Sequence, residues 1–426
     1  MQISSWIFLT AGIILGIALI VLIILYCFGF FRGKVKYHIK NFPSPETPNF
    51  LFTIATLTNS LITAGKLTGF WVGASDIFAA RLDAIRSAKY SIQFETFIMT
   101  PGRRADEFAT AIVNQAKAGV RIQIIVDAYG AKSIPKSYWR ELQLVGVEIR
   151  FFNSLNSRAL LEYLNRTHRK LLIIDGQLVL IGGAGISDYW DGINELAPWL
   201  DYEVSFEGEV AAKLKGIFHK HWLDLEGIVD FSKESLIPLQ LERQELLVTL
   251  GENPNYRNSP IRTLFKTSIL AAKERLWIAS PYFLPNSTSI QHLIDAKRRG
   301  VEVKILTMGK RTDKRFIHYT SRELYGNLIR EGIEIYEHQP SMMHAKIILI
   351  DQQWVSIGSS NFDPRSFFRN DELNISQTDR QFAQQIEQFF ILGFSQSLLI
   401  SKHQWRRRKL WERIVGRFWL LFYWQL

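Results

Sequence analysis

Cysteine is nearly absent: Cys27 is the single one in 426 residues. That excludes a disulfide framework and a thiolate metal site and leaves the redox compartment open. Charge is missing from the start of the chain. Met1 to Trp6 carry no charged side chain, and Ile7 to Phe31 form an uncharged, strongly apolar run. At about 1.5 Å per helical residue, this run exceeds the roughly 30 Å of a hydrocarbon core. A cleaved signal peptide would need a basic start and a shorter apolar region. A buried core helix fits less well, because such helices seldom stay apolar on every face. The run therefore reads as a transmembrane helix. Arg32, Lys34, Lys36 and Lys40 follow it, so the positive-inside rule places that flank and the bulk of the chain in the cytoplasm. Pro43, Pro45 and Pro48 then mark residues 32–60 as an extended, irregular linker. Acid is also in deficit. With 40 Asp and Glu against 51 Lys and Arg, the net charge of +11 calls for an anionic partner, either nucleic acid or an acidic membrane surface.

What the chain has in abundance is repetition. His168, Lys170 and Asp175 stand at offsets of two and seven, and His344, Lys346 and Asp351 repeat them. Behind each His–Lys pair lies an apolar run, Leu171 to Ile174 and Ile347 to Ile350, that fits a buried strand with imidazole and ammonium on one face. A lone His is more often a structural residue than a catalyst. Of the nine His, however, two carry the whole pattern, a coincidence expected in about one of several thousand chains. After six intervening residues come Gly182-Gly183 in one copy and Gly358-Ser359-Ser360-Asn361 in the other.

The repeat extends outward. Phe78 to Ala88, Glu107 to Ala118 and Ser137 to Val145 read as helices, alternating with strands at Ser91 to Phe97, Val120 to Val126 and Val147 to Phe152. The second half repeats the order, with Gly119 answered by Gly300 and Gly146 by Gly332, each ending a helix. Each half is an α/β unit, and two such units imply a pseudo-twofold axis. The alternation predicts largely parallel strands, with antiparallel hairpins at Asp175-Gly176 and Asp351-Gln352.

The doubled pattern resembles the phospholipase D superfamily. Ser280-Pro-Tyr-Phe283 and Asn361-Phe-Asp-Pro-Arg-Ser366 make it most similar to the bacterial cardiolipin synthase branch, across roughly residues 60 to 400. The resemblance implies two pseudo-twofold-related phospholipase D-like α/β/α sandwich domains, 61–235 and 236–400. It implies that His168 attacks phosphorus to form a phosphohistidine while His344 serves as general acid and base, although symmetry permits the reverse. Lys170 and Lys346 would hold the phosphoryl oxygens, and Ser359 and Asn361 would add polar contacts. Asp201 and Glu372 would each orient the opposing motif's imidazole. Asp175 and Asp351 complete the triplets, where they serve the fold through turns. No metal or other cofactor is required; His219-Lys-His221 reads as a solvated or membrane-facing basic patch. One departure stands out: the family's Gly-Gly-x-Asn is Gly182-Gly183-Ala184-Gly185 here.

The chain ends on Trp405-Arg-Arg-Arg-Lys409 and a Trp-rich segment to Leu426. On a helix Lys409, Arg413 and Arg417 share one face, with Leu410, Trp411, Ile414 and Phe418 on another. Residues 401–426 thus read as an amphipathic helix for an anionic lipid surface, with packing on the second domain as the alternative. Two membrane attachments favour a phosphatidyltransferase of the bacterial inner membrane. It would be single-pass with cytoplasmic domains, moving a phosphatidyl group from phosphatidylglycerol to a second lipid hydroxyl. Hydrolysis to phosphatidic acid, a membrane-tethered nuclease and a catalytically silent scaffold are the alternatives. Neither nucleic acid nor an obligate protein partner is expected.

Overall fold

The computed structural model describes residues 2–27, 39, 41–154, 164–192, 197–230, 244–255 and 258–426, with the backbone alone at 2–5, 7 and 25–27. The basic flank of Arg32, Lys34, Lys36 and Lys40 lies outside the described residues, apart from the intervening residue 39. The expected boundary between the halves at 235 and 236 does too. Two helices come first, α1 (Gln2–Cys27) and α2 (Phe50–Thr58). The first half then runs β1 (Leu61–Val72), α3 (Ala74–Ser87), β2 (Ser91–Thr96), α4 (Arg103–Lys117), β3 (Arg121–Asp127), α5 (Lys136–Leu144), β4 (Glu148–Phe152), β5 (Arg166–Thr167), β6 (Leu171–Ile174), β7 (Leu178–Gly182), β8 (Tyr202–Glu207) and α6 (Glu209–Asp224). The second runs β9 (Gln244–Gly251), α7 (Pro260–Ala271), β10 (Arg275–Ala279), α8 (Ser287–Arg298), β11 (Glu302–Met308), α9 (Arg315–Arg330), β12 (Glu334–His338), β13 (Ile347–Ile350), β14 (Trp354–Gly358), α10 (Pro364–Phe368), β15 (Asn370–Thr378), α11 (Arg380–Ser395) and β16 (Ser397–Leu399). Two short helices close the chain, α12 (Lys402–Arg406) and α13 (Leu410–Leu420).

The halves share one sheet. Reading outward from its middle, the order is β1-β8-β7-β6-β2-β3-β4 on one side and β9-β15-β14-β13-β10-β11-β12-β16 on the other. The pseudo-twofold axis therefore falls between β1 and β9, which pair antiparallel with Leu61 opposite Val248. The expectation of largely parallel strands is corrected. Among the described residues only β2-β3-β4, β10-β11-β12 and the short β5 against β15 run parallel. Only the first two of these sets are joined by helical crossovers, whereas the turns after Asp175 and Asp351 are too short to bring a strand back parallel. Both motif strands form the expected antiparallel hairpins.

Helices cover both faces. Ile92, Phe94, Ile122 and Ile124 pack under α3, α4 and α5, while Leu171, Ile173 and Val179 point the other way into a core with α6. In the second half Leu276, Ile278 and Ile305 pack under α7, α8 and α9, and Trp277, Ile347 and Leu349 join α11. The four residues of β6 and of β13 are all buried, as both-face coverage of their apolar sequence requires. Gly119 and Gly300, with φ of 90° and 96°, supply the left-handed residue after α4 and α8 that turns the chain into the next strand.

The linker is not irregular throughout. Phe50, Ile54 and Ala55 of α2 are buried in the second half's core with Phe42. The 26-residue α1 carries exposed apolar side chains along its length, among them Phe8, Leu15, Leu19 and Ile23. Among the described residues no helix is long and apolar enough to cross a membrane; in α1 the side chains of Trp6 and of residues 8–24 are described. The C-terminal segment is not one continuous helix: α12 and α13 are separate, and α13 packs along α9.

Candidate active site

Because β6 runs antiparallel to β2, with Leu171 opposite Glu95, its beginning lies beside the carboxyl ends of the parallel strands. His168 and Lys170 occupy the extended lead-in to that strand, and His344 and Lys346 occupy the matching lead-in to β13. Each lead-in is hydrogen-bonded to the other half. The His168 N–H donates to Asp371 O at 2.8 Å, and the His344 N–H donates to Leu200 O at 2.8 Å. The next residue after each acceptor is a carboxylate. In both cases that carboxylate meets the imidazole.

His168 Nδ1 lies 3.1 Å from both oxygens of Glu372, and His344 Nδ1 lies 2.9 Å from Asp201 Oδ2. Each half thus holds the other's ring. A carboxylate at Nδ1 selects the tautomer with its proton there and leaves the Nε2 lone pair to accept, and Lys346 Nζ lies 3.1 Å from that of His344. Lys170 Nζ donates to His168 O at 2.6 Å; Lys346 Nζ donates to His344 O and lies 3.0 Å from His344 Nδ1. His168, Lys170, His344 and Lys346 are all buried.

Burial first, then Lys170, Lys346 and His344, hold His168 well below its ordinary pKa. Burial and Lys346 likewise bring His344 down to about 4, although Asp201 opposes them. Lys346 falls to about 8 and Lys170 well below its usual value, both chiefly through burial. Each motif feels the charges of the other, so the two converge on one cluster. The carboxylates differ. Burial raises Glu372, whereas hydrogen bonding and charge from His344 hold Asp201 low against its burial.

Ser359 Oγ donates to Glu372, and Asn361 is buried nearby with its N–H on Ser366 Oγ at 3.0 Å. Asp175 and Asp351 lie at the far ends of the motif strands. The Asp175 carboxylate accepts from the N–H groups of Lys89, Tyr90 and Ser91, and Asp351 from those of Lys273, Glu274 and Arg275. Both take positive φ, 54° and 53°, at the hairpin turns. Their place is in the fold behind the cluster.

Several contacts have no signal in the motif spacing. Ser366 Oγ donates to Glu372 Oε1 at 2.7 Å; it lies in a stretch that the family resemblance marks without assigning it a role. Trp190 Nε1 donates to Asp201 Oδ2 at 2.9 Å, and its ring meets the His344 ring edge to face at 5.3 Å. Tyr202 Oη accepts from the Gly358 N–H at 2.7 Å and lies 3.0 Å from Lys346 O. The expectation of a solvated patch at His219 and His221 is corrected: both are buried, and His221 Nδ1 lies 2.9 Å from Glu95 Oε1. Positions two apart on a helix point to opposite sides, and both are enclosed here because α6 is covered around most of its circumference. Gly185 has no room for the family's Asn, since a Cβ there would lie 2.5 Å from Ile98 O.

The profile described as "Cardiolipin synthase, PLD-like domain" matches residues 82–222 and 265–391. Cardiolipin synthase 2 of Bacillus anthracis is 29% identical over 390 residues, covering 90% of this chain and 76% of that one. Cardiolipin synthase A of Pseudomonas syringae pv. syringae (strain B728a) is 31% identical over 362 residues, covering 82% and 74%. Phosphatidylserine synthase of Haemophilus influenzae Rd KW20 shares the fold at a TM-score of 0.69 and 15% identity, over 86% of this chain and 95% of that one. With one profile match on each half, and each match containing a full His–Lys–Asp triplet, the chain belongs to the cardiolipin synthase PLD-like domain family.

Proposed function

We propose that this chain is a phospholipase D-type phosphatidyltransferase that makes a cardiolipin-like product from phosphatidylglycerol. The observation that carries the reading is the reciprocal hold of two imidazoles by carboxylates of opposite halves. His168 Nε2 attacks phosphorus, the bond to the glycerol oxygen breaks, and His344 protonates the departing alkoxide. His344 then takes a proton from the incoming lipid hydroxyl, whose oxygen attacks phosphorus and frees His168. Lys170 and Lys346 stabilise the non-bridging oxygens. The two carboxylates support this order of roles. Glu372, raised by burial, leaves His168 a neutral nucleophile, while ionised Asp201 stabilises the imidazolium that His344 must form. Burial and Lys346 hold His344 at about 4, and entry of an anionic phosphodiester raises its proton affinity so that it carries the proton needed for the first step. Ser359, Ser366 and Asn361 hold Glu372 and the phosphate side of the pocket.

The exposed apolar length of α1 supports a single-pass anchor in a bacterial inner membrane, and Arg32, Lys34, Lys36 and Lys40 after it in the sequence favour the cytoplasmic side for the catalytic halves. The test is product analysis of the purified chain on phosphatidylglycerol. Cardiolipin with glycerol is the expected outcome; phosphatidic acid would make the enzyme a hydrolase, and no lipid turnover would overturn the reading.

A further inference from the structure

The chain beyond residue 400 does more than pack against the second half. On α13, Leu410, Ile414 and Phe418 are 70%, 60% and 53% exposed, and Trp411 lies beside them. Arg406, Arg407, Lys409 and Arg417 of the same segment are exposed. The segment's one acid, Glu412, is buried and turned toward Arg322. A segment with an exposed apolar face, exposed cations and its one carboxylate hidden is complementary to an anionic lipid surface.

The helix is also fixed in orientation. Gly416 lies so close to α9 that a Cβ there would be 2.5 Å from Tyr319 O. Trp405 Nε1 donates to Arg322 O, and Arg408 pairs with Glu323 at 2.7 Å. Behind α13 the tail packs on residues that flank the catalytic cluster on two sides. Leu426 is buried with Tyr282 and Met342, in a cluster that Trp199 joins. The Trp199 ring lies 5.7 Å from that of His344. On the other side Trp424 meets Phe368 at 5.6 Å, and Arg365 Nη1 donates to Gln425 O at 3.3 Å. Both partners are in α10, whose Ser366 bonds Glu372.

We propose that residues 410–426 are the lipid-docking element of the site: α13 lies on an anionic bilayer, and the tail behind it forms the wall along which acyl chains reach the His168–His344 cluster. Trp419, whose ring lies 4.5 Å from that of Phe316 at a tilt of 36°, links the exposed face to the buried one. The proposal rests on the transferase reading above and adds to it the direction from which substrate comes.

The experiment uses the full chain reconstituted in phosphatidylglycerol vesicles and compares it with Ile414→Asp/Phe418→Asp, two exposed positions whose change leaves the core intact. Turnover of vesicle lipid falls about tenfold or more, while turnover of monomeric dihexanoyl phosphatidylglycerol stays within about twofold. Equal turnover of vesicle lipid by both proteins would overturn the proposal, as would an equal loss on the soluble substrate. Leu426→Ser raises KM for vesicle lipid more than for the short-chain lipid; an unchanged KM would remove the wall. Inactivity of the unaltered chain on both substrates would overturn the transferase reading instead. Docking is then decided by quenching with brominated phosphatidylglycerol, measured as the difference between the chain and Trp411→Phe. A difference supports docking, and none overturns it.

Discussion

Asp201 and His344 are 143 residues apart in sequence and 2.9 Å apart in space, Oδ2 against Nδ1. Asp201→Asn keeps the shape and removes the charge that stabilises an imidazolium. It lowers kcat by about 100-fold or more, with little change in unfolding midpoint. Steady-state turnover of phosphatidylglycerol beside a urea melt checks it; unchanged kcat would remove Asp201 from the proton path.

Replacing each imidazole separates the roles. With ³²P-labelled phosphatidylglycerol, His344→Ala forms a labelled protein slowly, because the glycerol must leave without its acid, and then holds the label, because no base activates the acceptor; His168→Ala stays unlabelled. Label on His168→Ala alone would exchange the two assignments.

Asp175→Ala and Asp351→Ala act on stability. Each leaves three backbone N–H groups without their carboxylate and costs about 2 kcal/mol. Both also put Ala at a positive φ. Turnover per folded molecule is retained. Denaturant midpoints and active-site titration distinguish this from a direct role in the chemistry.

Asp363 makes stability depend on pH. Burial raises its carboxyl from 3.8 to about 7. The unfolded chain releases that proton near pH 4 and the folded chain only near pH 7, so this group's contribution declines as pH rises between the two. Asp363→Asn keeps an oxygen for the Ser366 N–H, which Asp363 now caps at 2.8 Å. The variant melts higher than the parent at pH 8 and at about the same temperature at pH 4. Parallel melting curves across this range would contradict the assignment.

Gly185→Asn restores the family's residue without restoring its function. The new Cβ would press on Ile98 O, so the variant is destabilised by about 1–3 kcal/mol and turns over no faster. Higher turnover would show that the loop can move aside.

Much of this was legible because the chain states it twice. The paired glycines, the apolar motif strands and the second copy of His–Lys–Asp locate two equivalent halves. Distant partners were not legible. Helix α4 begins at Arg103, ahead of the expected Glu107, because the Asp188 carboxylate accepts from the Arg103 and Arg104 N–H groups at 3.0 and 2.9 Å. The burial of His221 needs Glu95 beside it, 126 residues away. Trp190 gives no local sign of meeting Asp201. Strand direction was misjudged because helix alternation describes only the outer strands of each half.

The pairing of β1 with β9 has a consequence for truncation. Cut between the halves, each piece would present a bare edge strand, one imidazole and a carboxylate meant for a ring it lacks. Such a fragment completes itself only by finding another copy, since the same edge-to-edge contact would bring a second ring within reach of the orphaned acid.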